Sequence, residues 1–325
     1  MRYKLSAPIV LFCCILIASQ YTLADRGMIA AYPDISVYEP GQKAILAWNG
    51  REEVMILSTD VKASNNTKAL EIVPFYSKPK IEQGDFKSFS ALEGIFMNRA
   101  PRYKSAGGSG LKVVSHERIG QHDVTTIFVK FSESQVIRSY EEREKDYADE
   151  FRQFAVPYLK NVGMSSITFP NNLGKILDHY DSTDGFYCVL DVIDIDTKEK
   201  SVTPLVYRFK TDELYYPLVI SQLTGGETNI QLYLIMEGAP DVLSSEGRYA
   251  IQPFELGYYE TGGYIMNSMI VELYQEDLKD IDARVADLFS NSKEQVYATA
   301  IKYTGNTEEL TNDLKLDRVL RFFTL

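Results

Sequence analysis

Cysteine and histidine are scarce in this sequence, with three of each in 325 residues. Cys13 and Cys14 fall in an N-terminal apolar run, which leaves Cys188 alone in the body of the chain. One thiol makes no internal disulfide, even in an oxidising compartment. A body of roughly 300 residues buries about three quarters of its unfolded surface, so a hydrophobic core suffices without staples. Basic residues are also in deficit: 34 Lys and Arg stand against 45 Asp and Glu, a net charge of −11. No Lys/Arg stripe with interleaved aromatics offsets that balance. A nucleic-acid partner is therefore excluded, because an acidic surface repels a phosphate backbone. After the first run, no apolar stretch approaches the ~20 residues of a spanning helix, and the end, Arg318 to Leu325, offers no anchor. Familiar chemical motifs are missing as well: no Gly-x-Ser-x-Gly elbow and no phosphate loop, since the glycines at 106–110 lack the Lys-Ser/Thr that completes one. No cofactor is implied.

The N-terminus supplies the clearest positive signal. Arg2 and Lys4 precede an apolar run from Pro8 to Ala18, and Thr22-Leu23-Ala24 ends in a small residue. This is the layout of a secretory leader, residues 1–24, with cleavage between Ala24 and Asp25. Its removal takes two basic residues and no acidic one, so the body is more acidic than the whole chain. The expectation is an exported protein, periplasmic or extracellular, free of any transmembrane segment after the leader.

Short β-branched or apolar runs mark strands at Ile35–Tyr38, Ala44–Trp48, Val54–Thr59 and Leu70–Val73. Pro40-Gly41 and Asn49-Gly50 punctuate them, the second as a hairpin turn. Phe86, Phe89, Leu92 and Phe96 repeat at helical spacing. A linker-like stretch at 101–110 precedes strands at Leu111–His116 and Val124–Phe131. A helical block over 133–161 puts Val136, Tyr140, Tyr147, Phe151, Phe154 and Tyr158 on one face, and Pro157 is expected to bend or end it. A short helix follows at Lys175–Tyr180. Phe186–Ile195 is apolar enough for a central buried strand. It is expected to start an antiparallel meander with Val202–Phe209, Leu218–Leu223 and Ile230–Met236. A strand near Ile265–Leu273, a helix near Leu278–Phe289 and a strand near Val296–Tyr303 complete the chain. The fold class is α+β, mainly antiparallel sheet with separate helical blocks. Residues 25–325 form the domain, with 25–237 and 238–325 as two candidate lobes.

Each candidate site has a bland alternative beside it. His116, His122 and Asp123, with Glu117, are metal-capable, but their spacing matches no zinc pattern, which favours an ordinary turn. Cys188 and His179, with Asp178, Asp181 or Asp184, have the residue types of a thiol nucleophile, its base and its orienter. On a strand, however, Cys188 shares a face with Phe186 and Leu190, a core position where a thiol is inert. Asp191, Asp194 and Asp196 lack a calcium loop and read better as a hairpin end. Tyr258, Tyr259 and Tyr264 stand among glycines, a composition suited to a flat sugar- or peptide-binding platform and equally to ordinary strands. Asn65-Asn66-Thr67 is a glycosylation sequon, of consequence only in a host that glycosylates exported proteins.

Several stretches in order along the body carry a family resemblance: residues 25–28, Val37–Ile45, Ala47–Gly50, Glu117–Val124, Pro204–Asp212, Tyr216–Ser221 and Glu309–Leu314. The chain resembles domain-of-unknown-function family 2330 of exported prokaryotic proteins. The resemblance implies a leader and an extracytoplasmic location. It implies a C-terminal membrane helix only in some members, and none is expected here, since no apolar run of that length precedes Leu325. It assigns no catalytic residue. Taken together, the sequence predicts a non-enzymatic binding or structural module with an extracytoplasmic protein, peptide or glycan as partner. The alternative is a secreted hydrolase with a carboxylate site, drawing on Asp123 or Asp212, because histidine and cysteine are nearly exhausted.

Overall fold

The computed structural model describes residues 27–99, 122–131, 139–182, 184–198, 200–240, 251–256, 259–261, 264–266, 270–317 and 319–320. The leader and its Ala24–Asp25 junction, the stretch at 101–116 with His116, and Tyr258 lie outside these residues.

The chain opens with β1 (Ile29–Ala30), β2 (Val37–Trp48), β3 (Glu52–Ala63), β4 (Thr67–Phe75) and β5 (Lys80–Gln83), followed by helix α1 (Lys87–Arg99). Next come β6 (His122–Val129), α2 (Tyr140–Asn161), α3 (Leu173–Tyr180), β7 (Phe186–Ile195), β8 (Lys200–Ser201), β9 (Leu205–Lys210) and β10 (Leu214–Tyr216). After a 3-10 helix at Val219–Leu223 come β11 (Glu227–Glu237), β12 (Ala239–Pro240), β13 (Glu255–Leu256), β14 (Tyr259–Thr261), β15 (Tyr264–Met266) and β16 (Val271–Leu273). Helices α4 (Gln275–Ile281) and α5 (Ala283–Leu288) lead to β17 (Val296–Asn306), β18 (Leu314–Leu316) and β19 (Val319–Leu320). The architecture is the expected α+β mixture, mostly antiparallel, with helices apart from the sheets.

Asn49 and Gly50 make the hairpin between β2 and β3. The Asn49 Oδ1 accepts from the N–H groups of Arg51 and Glu52 at 3.1 and 3.0 Å, and Gly50 takes a positive φ of 86°, as a tight turn between twisted strands requires. Pro40-Gly41 does not break the strand. It forms a bulge, with the register shifting between Tyr38 and Gly41 while β2 continues, the usual device for absorbing an extra residue.

Nine strands form the large sheet, in the order β13-β17-β11-β2-β3-β9-β5, with β16 on β17 and β8 on β3. It takes strands from both sides of residue 237. The small sheet is β1-β4-β7-β6. The expected meander from Phe186 to Met236 is not formed. β7 pairs with β4 and β6 in the small sheet, β9 pairs with β3 in the large one, and β11 lies parallel to β2. Both sheets need the buried central strands, so consecutive strands separate between them. At one end β3 passes to β4 through residues 64–66, and β7 returns to β8. The Ala63 N–H bonds to the Asp196 carbonyl at 3.0 Å beside this double crossing.

Side-chain parity then builds layers. Ile45, Ala47, Val54, Ile56, Tyr233 and Ile235 meet α1, α4 and α5. Ala44, Leu46, Met55, Leu57, Leu232 and Leu234 face the small sheet and meet its Val73, Phe75 and Val189. Ile72, Cys188 and Leu190 point the other way, onto α2 and α3. The order is helices, large sheet, small sheet, helices.

Three further expectations need correction. Leu218–Leu223 is a 3-10 turn rather than a strand, because its donors go to side chains. The N–H groups of Leu218 and Val219 bond Asp313 Oδ1 at 2.9 and 3.0 Å, and that of Ile220 bonds the Tyr180 hydroxyl at 3.0 Å. Helix α2 buries Tyr147, Ala148, Phe151, Ala155 and Leu159, whereas Tyr140 and Phe154 are 75% and 61% exposed. It also runs through Pro157 to Asn161; only one amide donor is lost, and the packed face outweighs that loss. The helix expected over 278–289 splits at Asp282, whose extended backbone closes α4 and whose Oδ1 caps α5 through Arg284 N–H at 2.8 Å.

Candidate functional site

Buried ionisable side chains concentrate between the two sheets. In the small sheet Glu71 on β4 stands directly across from Asp191 on β7, and His122 on β6 stands across from Ile193 two residues further. All three are buried, with Val73, Val189 and Ile193 as apolar neighbours on the same face of β4 and β7. Across the gap the large sheet presents Leu57 and Thr59, and the loop before β9 presents Val202 and Thr203. This polar island interrupts the apolar layer, with Val61, Ala63, Ala69 and Ile193 on one side and Leu57, Val73 and Val189 on the other.

His122 is the centre of the island. Its Nδ1 is 2.5 Å from Asp191 Oδ2, and its Nε2–H donates to the Thr203 carbonyl at 2.8 Å. The second bond ties β6 to the segment entering the large sheet, so one ring spans both layers. Burial alone would lower the imidazole pKa. The Asp191 hydrogen bond and charge, the Thr203 carbonyl and the Glu71 charge together outweigh burial and raise it. Thr59 Oγ1 is buried without a hydrogen-bond partner and lines a cavity of about 10 Å³ beside Glu71 and His122, room for about one water.

A second centre gathers around Asp313, between the 3-10 turn and β18. Its Oδ1 accepts from the N–H groups of Leu218 and Val219 and, at 3.0 Å, from the Tyr180 hydroxyl. Its Oδ2 accepts from the Tyr215 hydroxyl at 3.4 Å and lies 3.5 Å from His179 Nε2. Desolvation, then the Asp313 charge, pushes both tyrosines well above their usual range. Glu53 on β3 makes a third point: its Oε2 accepts from the Tyr215 N–H at 2.7 Å, and burial pushes its carboxyl well above the ordinary value against that bond.

Of the residues singled out for a metal, His122 has both ring nitrogens committed to Asp191 and Thr203. Asp123 points to the opposite face, where its Oδ1 accepts from the Tyr158 hydroxyl at 3.1 Å. Asp212, the other carboxylate considered for a hydrolase, is exposed in the turn after β9. Cys188 is buried in the α2–α3 core, and desolvation pushes its thiol far up. Its supposed base, His179, stands on Asp313. Asp178 pairs with Arg143 at 2.5 Å, Asp181 accepts from Tyr147 at 2.6 Å, and Asp184 is exposed. The aspartates considered for calcium separate as strand parity requires: Asp191 enters the inter-sheet layer, while Asp194 pairs with Lys68 and Asp196 with Lys200 on the surface. Tyr259 and Tyr264 lie on paired strands, with Thr261 across from Tyr264 and Tyr259 across from Met266. Asn65 is exposed at the turn between β3 and β4. Beside that turn is an open depression of about 420 Å³, bordered by Tyr32, Asn66, Lys68, Asp194 and Lys200.

Glu71, Glu53 and Asp313 were not singled out by sequence. A lone acid inside an apolar strand, as in Leu70-Glu71-Ile72-Val73, is the signal that marks the first, since an acid is rarely buried without a partner.

No protein-family model matches the chain, and no curated protein matches it. Among solved structures it is similar in arrangement to baculovirus P35, at 9% identity over 89% of this chain and 98% of that one, with a TM-score of 0.44. The same likeness extends to the caspase-8/P35 complex, at 8% identity over 86% and 97% with a TM-score of 0.36. It extends also to a mutated baculovirus P35 after caspase cleavage, at 8% identity over 86% and 100% with a TM-score of 0.34. At such identity and TM-score the likeness carries no statement about this chain's activity.

Proposed function

We propose that the chain is an exported, non-enzymatic binding or structural module, acting outside the cytoplasm on a protein, peptide or glycan. The observation that carries this reading is the commitment of His122. Its two nitrogens are used by Asp191 and Thr203 inside the core, where no substrate reaches them. A general base must lie within hydrogen-bond reach of its substrate, and neither His122 nor the thiol of Cys188 does. The leader-like N-terminus and the resemblance to an exported family support the location. The depression beside Tyr32, with its ion-paired rim, offers a polar surface with one exposed aromatic, a composition suited to a peptide or sugar.

The test is a paired assay on the protein lacking residues 1–24. Peptide, ester and glycoside substrates are assayed for turnover, and peptide and glycan arrays for binding. The proposal expects no turnover and array binding that weakens at least tenfold in Y32A. Turnover that is lost in D123N or D212N would establish the hydrolase instead. N-terminal sequencing of the protein from its own host tests export separately: Asp25 as first residue supports it, and an intact Met1 on the cell-associated protein contradicts it.

A further inference from the structure

The depression beside the turn between β3 and β4 stands on fixed backbone. Its aromatic residue, Tyr32, opens a tight turn. The Ile35 N–H bonds the Tyr32 carbonyl at 3.2 Å, and Pro33, second in that turn, presets the backbone between them. The residue before Tyr32 is clamped as well, since the Ala31 N–H bonds the Lys68 carbonyl at 2.8 Å. Only the two side-chain torsions of Tyr32 are left to order when a ligand arrives, and the residue is 43% exposed.

The same depression holds a donor and an acceptor on one rung of the small sheet. Lys68 on β4 lies directly across from Asp194 on β7, with Nζ 2.9 Å from Asp194 Oδ1. The stem of Lys68 runs close to Gly163 at the end of α2, where a Cβ would come within 3.3 Å of its Cε. The Lys68 side chain is 34% exposed and that of Asp194 is 66% exposed, so both present polar atoms to solvent. The neighbouring pair has a different part. Asp196 accepts from the Lys198 N–H at 2.8 Å and from Lys200 at 3.2 Å, which shapes the turn out of β7.

These features select among ligands. An ammonium beside a carboxylate matches two adjacent hydroxyl groups, one accepting and the other donating. Lys68 and Lys200 are each ion-paired already, so an anionic ligand would compete with resident carboxylates and meet their charge. The β4 backbone at this place is taken by β1 and by Ala31, so an extended peptide finds no strand edge of β4 to lengthen. Of the apolar residues lining the depression, Ala31 and Ile195 are buried, which leaves the Tyr32 ring as the exposed apolar surface. We infer, on the reading of the chain as a binding module, that this depression is a site for a neutral saccharide, with a sugar ring stacked on Tyr32 and adjacent hydroxyls bonded to Lys68 and Asp194.

Neutral oligosaccharides of glucose, mannose and N-acetylglucosamine, an oligogalacturonate and a peptide library are titrated against the protein. The expected result is saturable binding of a neutral oligosaccharide, with an affinity that changes less than about twofold between about 0.05 M and about 0.5 M salt. Y32A should weaken it about tenfold, and Y32F, which keeps the ring, should stay within about twofold of the parent protein. K68M and D194A should each weaken it about tenfold while leaving the thermal melt nearly unchanged, because a solvent-facing ion pair contributes little to stability. Where either fails to fold, the contrast between Y32A and Y32F decides. Peptide binding that is lost in Y32A, or binding of the oligogalacturonate alone, overturns the saccharide site and leaves a binding module standing. Saccharide binding that is untouched in Y32A and D194A, or no binding of any neutral oligosaccharide, also overturns it. Turnover that is lost in D123N or D212N overturns the module reading, whatever binds at Tyr32.

Discussion

The hydroxyl of Tyr180 donates to Asp313 Oδ1 at 3.0 Å across 133 residues of sequence, and the same hydroxyl accepts from the Ile220 N–H. This one contact joins the end of α3, the 3-10 turn and the segment leading into β18. Asp313 is the acceptor on which the three converge, and its carboxylate is the reason that Leu218–Leu223 coils instead of pairing as a strand.

Replacing Asp313 by alanine orphans two backbone N–H groups and the Tyr180 hydroxyl. A buried donor left without a partner costs about 1–3 kcal/mol, so D313A should lose on the order of 4 kcal/mol in chemical denaturation. D313N keeps Oδ1 as an acceptor and should lose roughly half as much. Equal losses in the two variants would show that the charge, rather than the acceptor geometry, holds the segment.

Gly174, in the first turn of α3, has no room for a side chain. A Cβ there would fall 1.8 Å from the Glu144 carbonyl oxygen of α2, and backbone cannot yield as a flexible side chain does. G174A should force the two helices apart at a cost of about 3 kcal/mol, at the upper end for overpacking. A thermal melt unchanged from the parent protein would refute the close approach.

Glu53 carries its own pH signature. Burial raises its carboxyl pKa in the folded state, so the neutral form is the one the core tolerates, and stability is lost as pH rises through the folded value. E53Q, neutral at every pH, should gain on the parent protein progressively between about pH 5 and about pH 8. A gap between their melting temperatures that stays constant over this range would contradict the assignment.

What the sequence made legible follows from local physics. Asn49-Gly50 needs only its own turn conformation, and Phe186–Ile195 needs only its apolar composition, so the first hairpin and the central strand of the small sheet could be read directly. Leu218–Leu223 could not, because an aspartate almost a hundred residues away takes its donors. Nor could the parallel register of β11 on β2, which depends on which of two sheets an apolar strand enters. The island shows the same limit. His122 and Asp191 each stood out, one for a metal and the other for calcium, but their pairing is a property of strand register. Glu71 was not singled out at all; an acid in an apolar run signals burial, but it does not name its partner.

The account rests on the protonation state of one ring. With three histidines in the chain, nitrogen-resolved NMR of the imidazoles at neutral pH is simple to assign, with H122Q identifying the signal. Both nitrogens of His122 should appear protonated, with an Nδ1–H proton far downfield that persists in slow exchange with water. A neutral His122 with a bare Nδ1 at this pH would contradict the bridge to Asp191.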